Sequence, residues 1–318
     1  MIEGIPKISV LVICYNQEQV ISRAIDSLLT QKDYIYEICV SDDCSKDRTW
    51  DILQEYSRQY PGLFVLNRNE PNVGIFENVE KTWTMPTGDI VYRLAGDDEC
   101  GEDWFKTVVD YIRLNNIDYK NELFCIYGDY KVIYPNSDSF IFKNDGISTA
   151  HDPIRLAIRG IIGNRSACFN RNIYSKYKKV SKGRSYLPES AQDRQLQLFS
   201  EANYYVPHVG NKYYAQIGIN VNFNSKIQEE REYVEEYART FIESNGYKFN
   251  TKDLCFFEYK TEVAKLYRDK SIKQRMLILW LFMKSFDLSL GFKQLRIKRS
   301  LFALFRRLPH KKPLSWEI

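Results

Sequence analysis

Two pairs of adjacent carboxylates are the residues of this chain best suited to chemistry. Asp97 and Asp98 lie in LAGDDE (Leu94 to Glu99), directly after the apolar run DIVYRL (Asp89 to Leu94) that reads as a buried strand. A glycine and clustered carboxylates at a strand end suit a hard divalent cation. Mg²⁺ and Mn²⁺ take oxygen ligands and leave positions open for substrate phosphates. An acidic turn without a ligand is the competing reading, since Gly and Asp are common turn residues. Asp42 and Asp43 hold a similar position after IYEICV (Ile35 to Val40), and Tyr15-Asn16 follows ISVLVIC (Ile8 to Cys14). Three polar strand ends on one sheet edge point to a nucleotide or phosphate site.

Strands and helices alternate over roughly the first 115 residues, which implies a mostly parallel sheet with helices on both faces. Ile8 to Cys14 is the first strand, and Asn16 is placed to cap the helix that follows through Val20, Ala24, Ile25 and Leu28. Ile35 to Val40 and Leu63 to Leu66 are further strands, Ile75 to Thr84 a helix, and Asp89 to Leu94 the strand that delivers the acidic turn. Beyond residue 120 the pattern changes. Strands are expected over Leu123 to Tyr134 and Phe140 to Phe142, and a glycine-led loop into a short strand over Gly163 to Phe169. An amphipathic helix is expected over Glu189 to Phe199, with Asp193 near its first turns, and extended segments over Tyr204 to Val206 and Lys212 to Asn222. From Ser225 the character is helical, with packing helices over Cys255 to Tyr267 and Ile272 to Phe286.

Composition excludes several classes. The chain has 318 residues, is 44% hydrophobic and carries a net charge of +4, so it can bury a sizeable core and makes no general case for nucleic acid. Its seven cysteines are scattered and form no C-x-x-C pair, which argues for a reducing compartment and against a disulfide framework or a zinc site. No secretory signal is expected, and no stretch approaches the run of about 18 apolar residues of a spanning helix. A P-loop and a dinucleotide fingerprint are both missing after the first strand, so side chains and a metal, more than a glycine-rich cradle, would hold a nucleotide.

LVICYNQE, VSDDCSKDRT, NVGIFEN and TGDIVYRLAGDDE, in this order and at these separations, resemble glycosyltransferase family 2 over about residues 7 to 220. The resemblance implies an inverting, nucleotide-sugar-dependent enzyme of the GT-A fold: an α/β, Rossmann-like, mixed and mostly parallel sheet flanked by helices, with a helical C-terminal extension. It implies a glycosyltransferase domain over 1–222, with a donor half (1–120) and an acceptor half (121–222), and a helical region over 223–318. Tyr15 lies where the family packs an aromatic ring on the nucleobase, most often uracil. Asp43 lies where a carboxylate bonds the base, with Asn16 and Asp42 as neighbours. Asp98 would hold Mn²⁺ or Mg²⁺ against the diphosphate, with Asp97 toward the donor ribose or sugar. The first aspartate of that motif is Ala95 here. Asn72, Gly74 and Asn78 would border the donor phosphates, or else form a turn and helix start without a ligand.

Asp193 matches the family's catalytic base, a carboxylate that takes the acceptor hydroxyl's proton. Its competing role is ordinary negative charge in a helix's first turn. Where family members often carry Arg and His, NKYYAQIGIN holds Tyr214 and Gln216. His151 and His208 read as polar loop residues. The expected partners are a nucleotide-sugar donor, a UDP-sugar by preference, and a glycan or lipid-linked oligosaccharide acceptor of surface polysaccharide assembly. A nucleotidyltransferase and an inactive nucleotide-sugar-binding scaffold are the alternatives.

The tail adds a membrane expectation. FKQLRIKRSLFALFRRL (Phe292 to Leu308) mixes Phe, Leu and Ile with Lys293, Arg296, Lys298, Arg299, Arg306 and Arg307, and no acid. A basic amphipathic helix of this kind suits an anionic membrane surface, which implies a cytoplasmic enzyme peripheral to the inner face of the membrane. The alternative is a helix docked on the domain with its charges solvated.

Overall fold

A computed structural model describes residues 5–144, 149–150, 154, 164–176, 196–215, 225–265 and 271–285. Asp193, His151, Gln216 and the basic tail lie outside the described residues. The chain divides into two compact units, one of Met1–Asp152 with Ile161–Gly218, the other of Pro153–Gly160 with Ile219–Ile318.

The first unit is built on one mixed sheet. Its strands are β1 (Ile8–Cys14), β2 (Ile35–Asp42), β3 (Phe64–Arg68), β4 (Ile90–Ala95), β5 (Glu99–Cys100), β6 (Phe124–Ile133), β7 (Ser139–Phe142), β8 (Thr149–Ala150), β9 (Cys168–Asn170) and β10 (Ala202–Tyr214). The order is β3-β2-β1-β4-β9-β6-β10-β5, with β7 on β6 and β8 on β10. The β3-β2-β1-β4 half is parallel. β9 runs antiparallel to both β4 and β6, and β10 runs parallel to β6. This is the mostly parallel, helix-flanked α/β sheet expected of the GT-A fold.

Every residue of β1 is buried, because helices cover both faces and the alternating side chains of a strand serve one face each. Val10 and Val12 pack with Ile21, Ile25 and Leu28 of α1 (Ile21–Leu29) and with Trp104, Phe105 and Val108. Leu11 and Ile13 pack on the opposite side with Val79, Trp83, Ile173 and Leu196. At about 1.5–3 kcal/mol for each buried large apolar side chain, these two layers are the main force holding the sheet edge in place.

The remaining helices of this unit are α2 (Thr49–Gln59), α3 (Gly74–Thr82), α4 (Trp104–Leu114) and α5 (Ile173–Lys176). The second unit contains α6 (Ser225–Ser244), α7 (Thr251–Ala264) and α8 (Ile272–Ser285).

Four expectations need correction. Asn16 caps no helix: it adopts φ 51° and its Oδ1 accepts from Lys46 N at 2.8 Å, while α1 begins at Ile21 without a side-chain cap. The helix start is displaced because the Asn16 amide group is used to tie two loops. The extended segments near Tyr204 and Lys212 are parts of a single long strand, β10, whose register shifts against β6 between Tyr205 and Asn211. His208 therefore lies on a strand, with its ring stacked on Trp104 and its Nε2 2.6 Å from Glu102 O. The acidic turn does not stop in a loop: Glu99 and Cys100 form β5, antiparallel to β10, with Glu99 opposite Lys212.

Candidate functional site

The three polar strand ends expected from the sequence do leave the sheet together. β1 lies between β2 and β4, with Cys14 in register with Asp42 and Ile13 with Ala95. Asp43 N donates to Cys14 O and Gly96 N to Ile13 O, both at 3.0 Å. Tyr15-Asn16, Asp43 and Gly96–Asp98 therefore share one edge, at the carboxyl ends of parallel strands where α/β sheets bind ligands.

On the β2 side the carboxylates are enclosed by short-range donors. Asp42 is fully buried. Its Oδ2 accepts from Ser45 N at 3.0 Å, its Oδ1 accepts from the Ser45 hydroxyl, and Arg68 Nε lies 3.6 Å away. It thereby folds the 43–45 turn back on the strand; burial, then the Asp42 charge, pushes the Cys14 thiol well up. Asp43 Oδ1 accepts from Asn69 Nδ2 and from Val73 N, and Oδ2 from Gly74 N, each at 2.9 Å. The carboxylate thus holds the start of α3, satisfying amide donors that a helix N-terminus leaves free. Asn72 Nδ2 donates to Asp43 O at 2.7 Å. Asn78 is buried between Ser41 and Asn69: its Oδ1 accepts from both and its Nδ2 donates to Ser41 O. Asn16 N donates to Ser45 Oγ at 2.9 Å. Asn16, Asp42, Asp43, Asn72, Gly74 and Asn78 accordingly form one bonded region, with Tyr15 beside it and 43% exposed.

The acidic turn is held by cationic and aromatic side chains. Asp98 is buried; its Oδ1 accepts from Tyr214 N at 3.1 Å and its Oδ2 lies 3.3 Å from Arg165 Nη1. Arg165 in turn lies over the Tyr213 ring at 3.7 Å. Ser166 anchors this arginine turn to β6, its Oγ bonding Gly128 N and O at 3.0 and 2.9 Å. Glu99 is served by a second set. It lies 3.4 Å from Arg23 Nε and 3.5 Å from Lys212 Nζ, and accepts from the Tyr214 hydroxyl. Arg23 lies over the Tyr214 ring at 3.5 Å and donates to Asp97 O at 2.6 Å. Burial, then the Glu99 hydrogen bond, pushes the Tyr214 phenol up to about 12. Adjacent strand residues face opposite ways, so Tyr213 and Tyr214 carry one arginine each, and the turn between them is braced from both sides.

Arg23, Arg165, Lys212 and Tyr213 did not stand out in the sequence. The signal present was a lysine and two tyrosines on one extended segment, but nothing in the sequence pairs that segment with LAGDDE. Gln17 was also overlooked. Its Oε1 is buried without a hydrogen-bond partner and occupies the place a Cβ on residue 96 would take, so a larger residue there would displace the Gln17 side chain.

Asp97 and Asp98 are oxygen donors of the kind a hard divalent cation takes. Among the described residues no group of three or more His, Cys, Asp and Glu is arranged to hold a metal ion. Mg²⁺ is usually bound through one or two carboxylates together with phosphate and water oxygens.

Comparison with known proteins bears on the family and the fold. The family described as Glycosyl transferase family 2 matches residues 9–169. An uncharacterized protein of Mycobacterium tuberculosis, Rv1520, is 33% identical over 91 residues, 28% of this chain and 26% of its own length. The dTDP-rhamnosyl transferase RfbG of Shigella flexneri is 26% identical over 189 residues, 59% of this chain and 49% of its own length. The chain thus spans about a quarter to a half of these relatives. A crystal structure of S. aureus TarS 1-349 superposes with a TM-score of 0.62 at 14% identity, covering 93% of this chain and 86% of that one. The same protein in complex with UDP-GlcNAc gives a TM-score of 0.52 at 15% identity, covering 94% and 79%. These structural likenesses speak to the fold.

Proposed function

The chain belongs to glycosyl transferase family 2, and on that premise we propose that it transfers a sugar from a UDP-sugar, with inversion, to a hydroxyl of a glycan acceptor. The observation that carries this reading is the shared edge of β2, β1 and β4, where a half-exposed tyrosine, a bonded aspartate region and a braced acidic turn stand side by side. Tyr15 packs against the base. Asp43 has given three of its four lone-pair positions to Asn69, Val73 and Gly74, so one position on Oδ2 is left to accept from a base N–H. Asn72 and Gly74 form the wall beside it, and Asp42 and Asn78 brace that wall from behind.

Asp98, with Asp97 toward the donor sugar, would hold Mn²⁺ or Mg²⁺. The cation supplies charge compensation for the departing diphosphate. Arg165, already beside Asp98, adds a second positive charge at the same place. Asp193 takes the proton of the acceptor hydroxyl as that oxygen bonds to the anomeric carbon and the bond to the UDP oxygen breaks. A single displacement of this kind inverts the anomeric centre.

The acceptor we favour is a lipid-linked surface-polysaccharide intermediate. Among the described residues no helix is long and apolar enough to cross a membrane, and the basic amphipathic tail would bring the enzyme to such an acceptor at the inner membrane face. Removal of residues after 290 should then move the protein from anionic vesicles to the soluble fraction in flotation; unchanged flotation refutes the tail's role.

Calorimetry with UDP- and dTDP-sugars, with and without Mn²⁺, tests base, sugar and metal together. Metal-enhanced binding of a UDP-sugar is expected, whereas a preference for dTDP-sugars would move the base assignment toward the donor in RfbG's name. Asp193→Ala should abolish transfer while leaving donor binding intact. Transfer at the wild-type rate in that variant removes Asp193 from the mechanism. Donor binding with neither transfer nor hydrolysis by the wild type would favour a scaffold.

A further inference from the structure

α8 has two apolar faces, and among the described residues only one of them is packed. Ile278 and Leu281 are buried, and with Phe282 they pack against Phe256, Tyr259 and Val263 of α7. Ile272, Met276, Trp280 and Met283 face the other way and are 81%, 59%, 49% and 60% exposed. They recur at i, i+4, i+8 and i+11, which places them within an arc of about 80° on a helix of 3.6 residues per turn. A solvent-facing helix surface ordinarily carries charged and polar residues instead, so this stripe calls for a cover.

The charges of α8 itself indicate which cover, while Glu232, Glu235, Glu236, Glu258 and Glu262 of the neighbouring helices border the cavity that Trp280 also lines. α8 contains no Asp or Glu. Lys273 and Lys284 are both exposed and flank the stripe along one side, and Lys284 Nζ reaches over the Trp280 ring at 5.9 Å. Helices that lie in a membrane interface present this combination: an apolar stripe, a tryptophan at headgroup depth and a basic margin drawn to anionic lipid. The sequence after α8 continues the same chemistry, with eight Lys and Arg between Lys293 and Lys312 and no acid.

We infer that the exposed stripe of α8 is a lipid-contacting surface, seated on an anionic bilayer with Trp280 and its neighbouring methionines at the level of the headgroups. The inference deepens the membrane reading of the tail and rests on it only for the choice of anionic lipid. One acyl-type anchor gives marginal, reversible membrane binding, and stable attachment takes two signals. A folded apolar face beside a basic segment supplies two.

Fluorescence of the full chain with vesicles of phosphatidylglycerol and phosphatidylcholine tests this, using acyl chains brominated near the headgroup as quenchers. The chain has five tryptophans, so Trp316→Phe removes the tail's reporter, and Trp280→Phe in that background identifies the signal of α8. The expected results are quenching that depends on Trp280 and on phosphatidylglycerol, and a bound fraction lowered on the order of tenfold by Met276→Glu with Met283→Glu. Thermal melting of the double variant, unchanged for a solvent-facing pair, verifies its fold. Flotation that persists without quenching of Trp280 overturns the inference and leaves the tail as the anchor. Absence of flotation in every form refutes both. Unchanged vesicle binding, with the double variant converting a dimer to a monomer in sedimentation, would assign the stripe to a second copy.

Discussion

The carboxylates after β2 and those after β4 flank the same central strand, yet they are held by different kinds of partner. Asp43 is gripped by two backbone amides and a buried asparagine. Asp98 receives one backbone amide and one guanidinium, and Glu99 is held by Arg23, Lys212 and Tyr214. Backbone donors cannot leave without moving α3. Guanidinium and ammonium groups on long side chains can turn to a phosphate at small cost. On the proposed reading, the first region keeps a shape for a base and the second exchanges partners when a diphosphate arrives.

The difference predicts opposite outcomes for two similar substitutions. If Asp98 holds the proposed cation, Asp98→Asn should lower kcat/KM on the order of a hundredfold or more, since a metal's charge compensation amounts to several kcal/mol. Its melting temperature should stay close to wild type. Steady-state kinetics beside a thermal melt would break the comparison if stability fell and turnover did not. Asp43→Ala should act the other way, with a loss of about 2–4 kcal/mol in denaturant titration, because Val73 N, Gly74 N and Asn69 would lose their acceptor together.

Arg165→Met sharpens the second region. Its pair with Asp98 involves a side chain that is about one-third exposed, so stability should change by no more than about 1 kcal/mol. Affinity for UDP should nonetheless fall on the order of fivefold, with partial recovery in Arg165→Lys. Calorimetry that finds equal affinity in all three forms would restrict Arg165 to a structural role.

The smallest effect is in alkali. The Tyr214 phenol is raised from 10.0 to about 12 by burial and by Glu99, so the folded state favours its neutral form. The resulting stability is complete below pH 10 and is lost as pH rises from 10 to about 12. The stability difference between wild type and Tyr214→Phe should shrink over that window, and a constant difference would remove the phenol from the brace.

Much of the β2 region was legible because its parts follow the ends of successive strands. Asn69, Val73 and Gly74 lie 26, 30 and 31 residues from Asp43, and the strand-end rule places Asp42 and Asp43 on one edge with Tyr15. Even there, the sequence did not disclose that Asp43 would spend most of its acceptor capacity on α3, since a carboxylate's partners depend on which amides the next loop presents. The acidic turn was legible only as a cluster. Its partners Arg165 and Tyr214 are 67 and 116 residues away from Asp98.

By itself the sequence determined the strand–helix alternation, the buried central strand and the shared edge, because apolar periodicity and strand ends are local properties. Only the tertiary structure decided what surrounds the carboxylates. β10 had to pair with β6 and with β5, and β9 had to cross between β4 and β6, before two arginines and two tyrosines could converge on LAGDDE. Likewise, periodicity marked α8 as a packing helix, but only packing against α7 showed which apolar face remained outside.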